Sequence, residues 1–74
     1  MKRERCYLHN APPRIDVFPA SADGERVAVI VQCPHCLNAQ VHMYGENYAA
    51  VHGAALTAWN EYQGRMALEG SRAA

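Results

Sequence analysis

The sequence predicts an α+β fold, with a small three-stranded antiparallel sheet followed by one C-terminal helix. Three observations predict it. Alternating segments at 14–18 and 39–44 flank a β-branched run at 26–32. The apolar period changes from two to about 3.6 after Tyr48. Two short pairs of metal-ligating residue types bracket the first two strands.

With 74 residues the chain is limited to one domain. A core of this size is small, and many such domains add a metal, disulfides or a partner. The sequence places a single domain at 1–66 and a disordered tail at 67–74. Many of the apolar residues are alanine, and there is one Phe and one Trp. The large residues available for a core are Ile15, Val17, Phe18, the 27–31 run, Tyr44, Leu56 and Trp59.

In the first strand Ile15 and Val17 alternate with Arg14, Asp16 and Phe18. Pro12 and Pro13 suit an edge, because proline donates nothing to a ladder. Residues 19–25 carry Pro19 and Asp23-Gly24, a loop longer than a tight turn. The run 26–32 reads as a central strand covered on both faces. Val41 and Met43 oppose Gln40, His42 and Tyr44 in the third strand, which Gly45 ends.

Asn47 is placed to cap the helix, which is expected over 48–64. Val51, Ala55, Ala58, Trp59, Tyr62 and Met66 share a stripe, with Leu56 at its edge. Glu61 and Gln63 fall on the wet side of it. Gly53 reads as a close approach to the sheet, and Gly64 as the helix end.

Formal charge is zero, with 7 basic and 7 acidic residues. Duplex-binding domains carry a basic surplus, so the Lys2, Arg3, Arg5 cluster reads as a solvated tail rather than a phosphate contact. A nucleic-acid-binding domain using Lys2, Arg3, Arg5, Arg14 and Arg26 is the alternative. No apolar segment of signal-peptide length follows Lys2 and Arg3, and no run approaches the ~18 apolar residues of a membrane span. Three cysteines cannot all pair within one chain. Without a secretory signal they point to a reducing compartment, the cytoplasm, and to thiolate chemistry.

Cys33-Pro34-His35-Cys36 is a C-x2-C knuckle between two strand patterns. Two intervening residues let both sulfurs face one ion, and Pro34 presets the turn. Asn38 tolerates the left-handed exit such turns use. A structural zinc site takes four ligands. Cys6 is the only other cysteine, and His9 stands at the same spacing from it, followed by Asn10. Cys6, His9, Cys33 and Cys36 therefore form a candidate Cys3His site for one structural Zn2+, in a zinc-ribbon-like arrangement. Other readings remain open. One is a Cys2His2 set using His42 and His52, although nine residues separate them. Another is a metal-free fold with buried thiols, which pack as small hydrophobes. His35, His42 and His52 read as ordinary surface or strand histidines, and Trp59 and Tyr62 as core.

Cys6, His9, Cys33, Pro34, Cys36 and the helix segment Ala54–Asn60, AALTAWN, together resemble the Lar family of restriction-alleviation proteins of bacteria and phages. The resemblance spans about residues 4–64. That family's first knuckle usually reads C-P-x-C-G. Here Leu8, His9 and Asn10 replace the proline, second cysteine and glycine, and Leu37 stands where glycine is common in the second knuckle. The resemblance implies a phage or prophage protein in the bacterial cytoplasm, working through a host complex such as type I restriction–modification. The carboxylates are scattered, and a four-ligand metal leaves no open position, so no enzymatic activity is expected. A homodimer is among the expected states, and is favoured if no helix covers Val27, Val29 and Val31.

Overall fold

The structure, a computed structural model, describes residues 2–36 and 40–73, the last four by backbone alone. Strands β1 (Arg14–Pro19), β2 (Val27–Gln32) and β3 (Gln40–Gly45) precede helix α1 (Tyr48–Ala73). The sheet is antiparallel in the order β1-β2-β3, so β2 is central and the proline-preceded β1 is an edge. The α+β class and all three strands follow the sequence reading.

Register follows the alternation of side chains. Ile15, Val31 and Val41 lie side by side, and Val17, Val29 and Met43 form the next row. These rows share one face, because successive side chains on a strand point to opposite faces. Val29 and Val31 pack there with Val51, Ala55, Leu56 and Trp59, together with Cys6 and Cys33. Trp59, Val29 and Val31 are fully buried, each contributing roughly 1.5–3 kcal/mol by removal from water. A helix thus covers the β2 face that carries Val29 and Val31.

The other face differs from the expectation. The helix packs on β2 and β3 but not on β1, and β2 is covered on one face rather than both. Val17 therefore stays 43% exposed although it points to the helix side. Phe18 and Tyr44 lie on the helix-free face in one row across Ala28. They are 49% and 68% exposed, so neither belongs to the core.

The loop after β1 is built by side chains. The Ser21 hydroxyl donates to Asp23, whose carboxylate also accepts from the Glu25 N–H. Gly24 adopts φ 75°, the left-handed region that glycine enters without a Cβ penalty.

Asn47 caps α1 as expected. Its side-chain oxygen accepts from the Ala50 N–H at 3.1 Å. Gly45, not Gly53, is the glycine of close approach: a Cβ there would lie 2.6 Å from Val51 Cγ2, whereas one on Gly53 would meet nothing. Gly64 does not end the helix. The helix continues through segment 67–73, where a disordered tail was expected, because Arg65, Met66, Ala67, Leu68 and Glu69 are all good helix formers. Among the described residues no helix is long and apolar enough to cross a membrane.

Candidate metal centre

The two knuckles converge. One donor atom from each of Cys6, His9, Cys33 and Cys36 lies within 4.8 Å of the others. His9 Nδ1 stands 3.7 Å from Cys6 Sγ, 3.6 Å from Cys33 Sγ and 3.0 Å from Cys36 Sγ. Cys6 Sγ and Cys36 Sγ are 3.5 Å apart. Tetrahedral zinc, with bonds of about 2.3 Å to sulfur and 2.0–2.1 Å to nitrogen, spaces its ligand atoms by roughly 3.5–3.8 Å. Three of these four separations match, and the Cys36–His9 pair is closer. The four residues fit a single metal ion. His35 and His42 are exposed, His52 packs against Tyr48, and none of them belongs to the cluster.

Local backbone chemistry shapes each knuckle. The Asn10 N–H donates to the Cys6 carbonyl at 2.8 Å, and the Cys6 N–H to the Ala11 carbonyl at 2.9 Å. Asn10 takes φ 51°, which an asparagine tolerates better than most residues. In the second knuckle the Cys36 N–H donates to the Cys33 carbonyl at 3.2 Å, and the His35 N–H points at Cys33 Sγ at 3.4 Å. Asn38, the expected left-handed exit of this turn, lies outside the described residues, as does Leu37.

The helix holds the first knuckle in place. Trp59 Nε1 donates to the Glu4 carbonyl at 2.8 Å. The Asn60 side chain accepts from the Glu4 N–H at 2.9 Å and donates to the Lys2 carbonyl at 2.6 Å. Gln63 Oε1 accepts from the Tyr7 N–H at 2.8 Å. Gln63, expected on the wet face, is 2% exposed. Its Nε2 is the one buried side-chain polar atom without a partner among the described residues. Apolar periodicity assigns Asn60 and Gln63 no role. The available signal was an asparagine in a helix interior, where it competes with the backbone and is disfavoured unless it bonds elsewhere.

The electrostatics of the cluster favour a cation. Burial alone pushes the Cys6 thiol up. The backbone N–H groups of His9 and Leu8, with the His9 ring and Cys36, outweigh it and hold the thiol at about 6, against an ordinary value of 9.0. Burial raises the Cys36 thiol, and contact and repulsion from the Cys6 and Cys33 sulfurs raise it further, to about 12. Three thiolates at this spacing repel one another, and a divalent ion between them removes the conflict.

Three of the five candidate nucleic-acid residues share one groove. Lys2, Arg3 and Arg5 line an open groove of about 540 Å³ with Glu4, Tyr7 and Asn10. Arg14 is paired to Asp16 at 3.1 Å. Arg26 precedes β2, and the second knuckle follows it, so the six-residue strand separates them by about 20 Å. Compared with known proteins, the chain matches no family model, no curated protein and no solved structure.

Proposed function

We propose that the chain is a non-enzymatic zinc-binding module that acts by binding a larger host complex. The closed Cys6, His9, Cys33, Cys36 cluster carries this reading. Four protein donors fill a tetrahedral shell and leave no position for water or substrate. Three sulfurs and one imidazole suit zinc better than magnesium or calcium, which prefer oxygen. Cys6 and Cys33 also belong to the packed core. Metal binding therefore contributes directly to folding, as expected of a structural centre.

The resemblance of the knuckles and the AALTAWN helix to the Lar family supplies the partner: subunits of a type I restriction–modification complex, with alleviation of restriction as the outcome. The helix segment bears on this reading, since Trp59 and Asn60 hold the first knuckle. Affinity capture with the zinc-loaded chain from a host carrying such a complex tests it, with metal-free Cys33→Ser as control. Recovery of restriction–modification subunits by the loaded chain alone is expected, together with raised plating of unmodified phage. Loaded chain that recovers none of those subunits and leaves plating unchanged defeats the proposal.

A further inference from the structure

The basic N-terminal cluster is not the solvated tail its sequence suggests. Four hydrogen bonds from Trp59, Asn60 and Gln63 pin the backbone at Lys2, Glu4 and Tyr7. Arg5 Nη1 is fixed as well, donating to the Asn10 carbonyl at 2.8 Å. The cations thus project from a held backbone into the groove of about 540 Å³. Glu4 pairs with Lys2 at 3.2 Å and offsets one charge. Arg3 and Arg5 face no carboxylate within ion-pair distance among the described residues.

We propose that this groove binds the phosphates of a single-stranded nucleic acid. Arginine offers a planar fork that matches phosphate oxygens. Pinning the backbone beforehand lowers the ordering penalty on binding. Tyr7 lines the same groove, and Tyr62 fixes its ring edge-on, with centroids 6.2 Å apart and planes at 73°. An aromatic ring beside cations is the arrangement on which unstacked bases are held. A duplex is disfavoured because it requires a longer basic stripe. Arg14 is paired to Asp16, Arg26 lies at the far end of β2 from the second knuckle, and the chain carries no net charge. The site is independent of the protein-partner reading above.

Fluorescence anisotropy of a short labelled oligothymidylate with the zinc-loaded full chain tests this at low salt. Binding is expected, with a log–log salt slope of about −1.4 to −2.1 for two to three phosphates. Arg3→Gln should weaken binding several-fold and reduce the slope by about 0.7. Because Arg3 makes no structural contact among those described, its metal content should not change. Arg5→Gln should weaken binding, Arg5→Lys should recover only part of it because the fork is lost, and Arg26→Gln should have no effect. Tyr7→Leu should weaken the oligonucleotide more than tripolyphosphate. No binding at low salt, an equal loss from Arg26→Gln, or a duplex bound more tightly than the single strand would each overturn the proposal. So would tripolyphosphate bound as tightly as the oligonucleotide and equally indifferent to Tyr7→Leu.

Discussion

The indole N–H of Trp59 donates to the carbonyl of Glu4 at 2.8 Å, joining residues 55 apart in sequence. Glu4 stands two positions before Cys6, so this bond ties a helix in the apolar core to the first residue of the candidate metal cluster. Trp59→Phe keeps most of the packing and removes the donor. Loss of about 1–3 kcal/mol of stability is expected, because a partly buried carbonyl loses its partner. Metal affinity should fall with it. Thermal unfolding of the metal-loaded variant and competition with a chromophoric chelator would measure both. A variant matching the parent in both would show that the tie is dispensable.

The glycines offer a test with opposite signs. Gly45→Ala would drive a Cβ to 2.6 Å from Val51 Cγ2 and should destabilise the protein by about 1–3 kcal/mol. Gly53→Ala meets nothing within 4 Å and should stabilise it by about 0.5–1 kcal/mol. Urea midpoints of the two variants would check the pair. Equal shifts in one direction would contradict the close approach of the helix to the end of β3.

Much of this fold was legible from residue patterns, for reasons specific to each element. The run 27–31 is β-branched wherever it meets the helix, and Pro12 and Pro13 marked the edge. The metal cluster was legible because few other residues could complete it. Gln63 was misassigned because periodicity counts amides as wet, whereas its oxygen serves a backbone N–H inside the molecule. Phe18 and Tyr44 were misassigned because size suggested burial, yet strand alternation turns them to the helix-free face. The role of the Lys2–Tyr7 backbone was hidden, since it depends on contacts more than fifty residues away.

Proton release should accompany metal binding. In the metal-free protein Cys36 is held at about 12 and remains a thiol at neutral pH, so binding must displace its proton. Calorimetry in two buffers of different ionisation enthalpy should show at least one proton released at pH 7, and affinity should fall as pH falls. A binding heat independent of buffer would contradict this.

The metal-free fold should show its own pH dependence. Cys6 is depressed from 9.0 to about 6, so its contribution is full above 9.0 and is lost as pH falls through 6. Cys36 is raised from 9.0 to about 12, so its contribution is full below 9.0 and is lost as pH rises toward 12. Stability of the metal-free protein should therefore peak near pH 9. A flat profile from pH 6 to 12, followed by denaturant titration, would refute the thiol environments described.

His9 is the one imidazole in a candidate cluster otherwise made of three thiols. His9→Cys should retain cobalt and intensify its sulfur-to-metal charge-transfer band, and His9→Ala should lose at least tenfold in affinity. Cobalt spectra identical in all three proteins would remove His9 from the centre.

The central claim is that one zinc ion, held by Cys6, His9, Cys33 and Cys36, is part of the folded core. Elemental analysis of purified protein, paired with thermal unfolding before and after chelation, tests it most directly. About one zinc per chain is expected, with the transition shifted to a much lower temperature on chelation and in Cys33→Ser. Protein free of zinc that unfolds with the same cooperative transition would contradict the account.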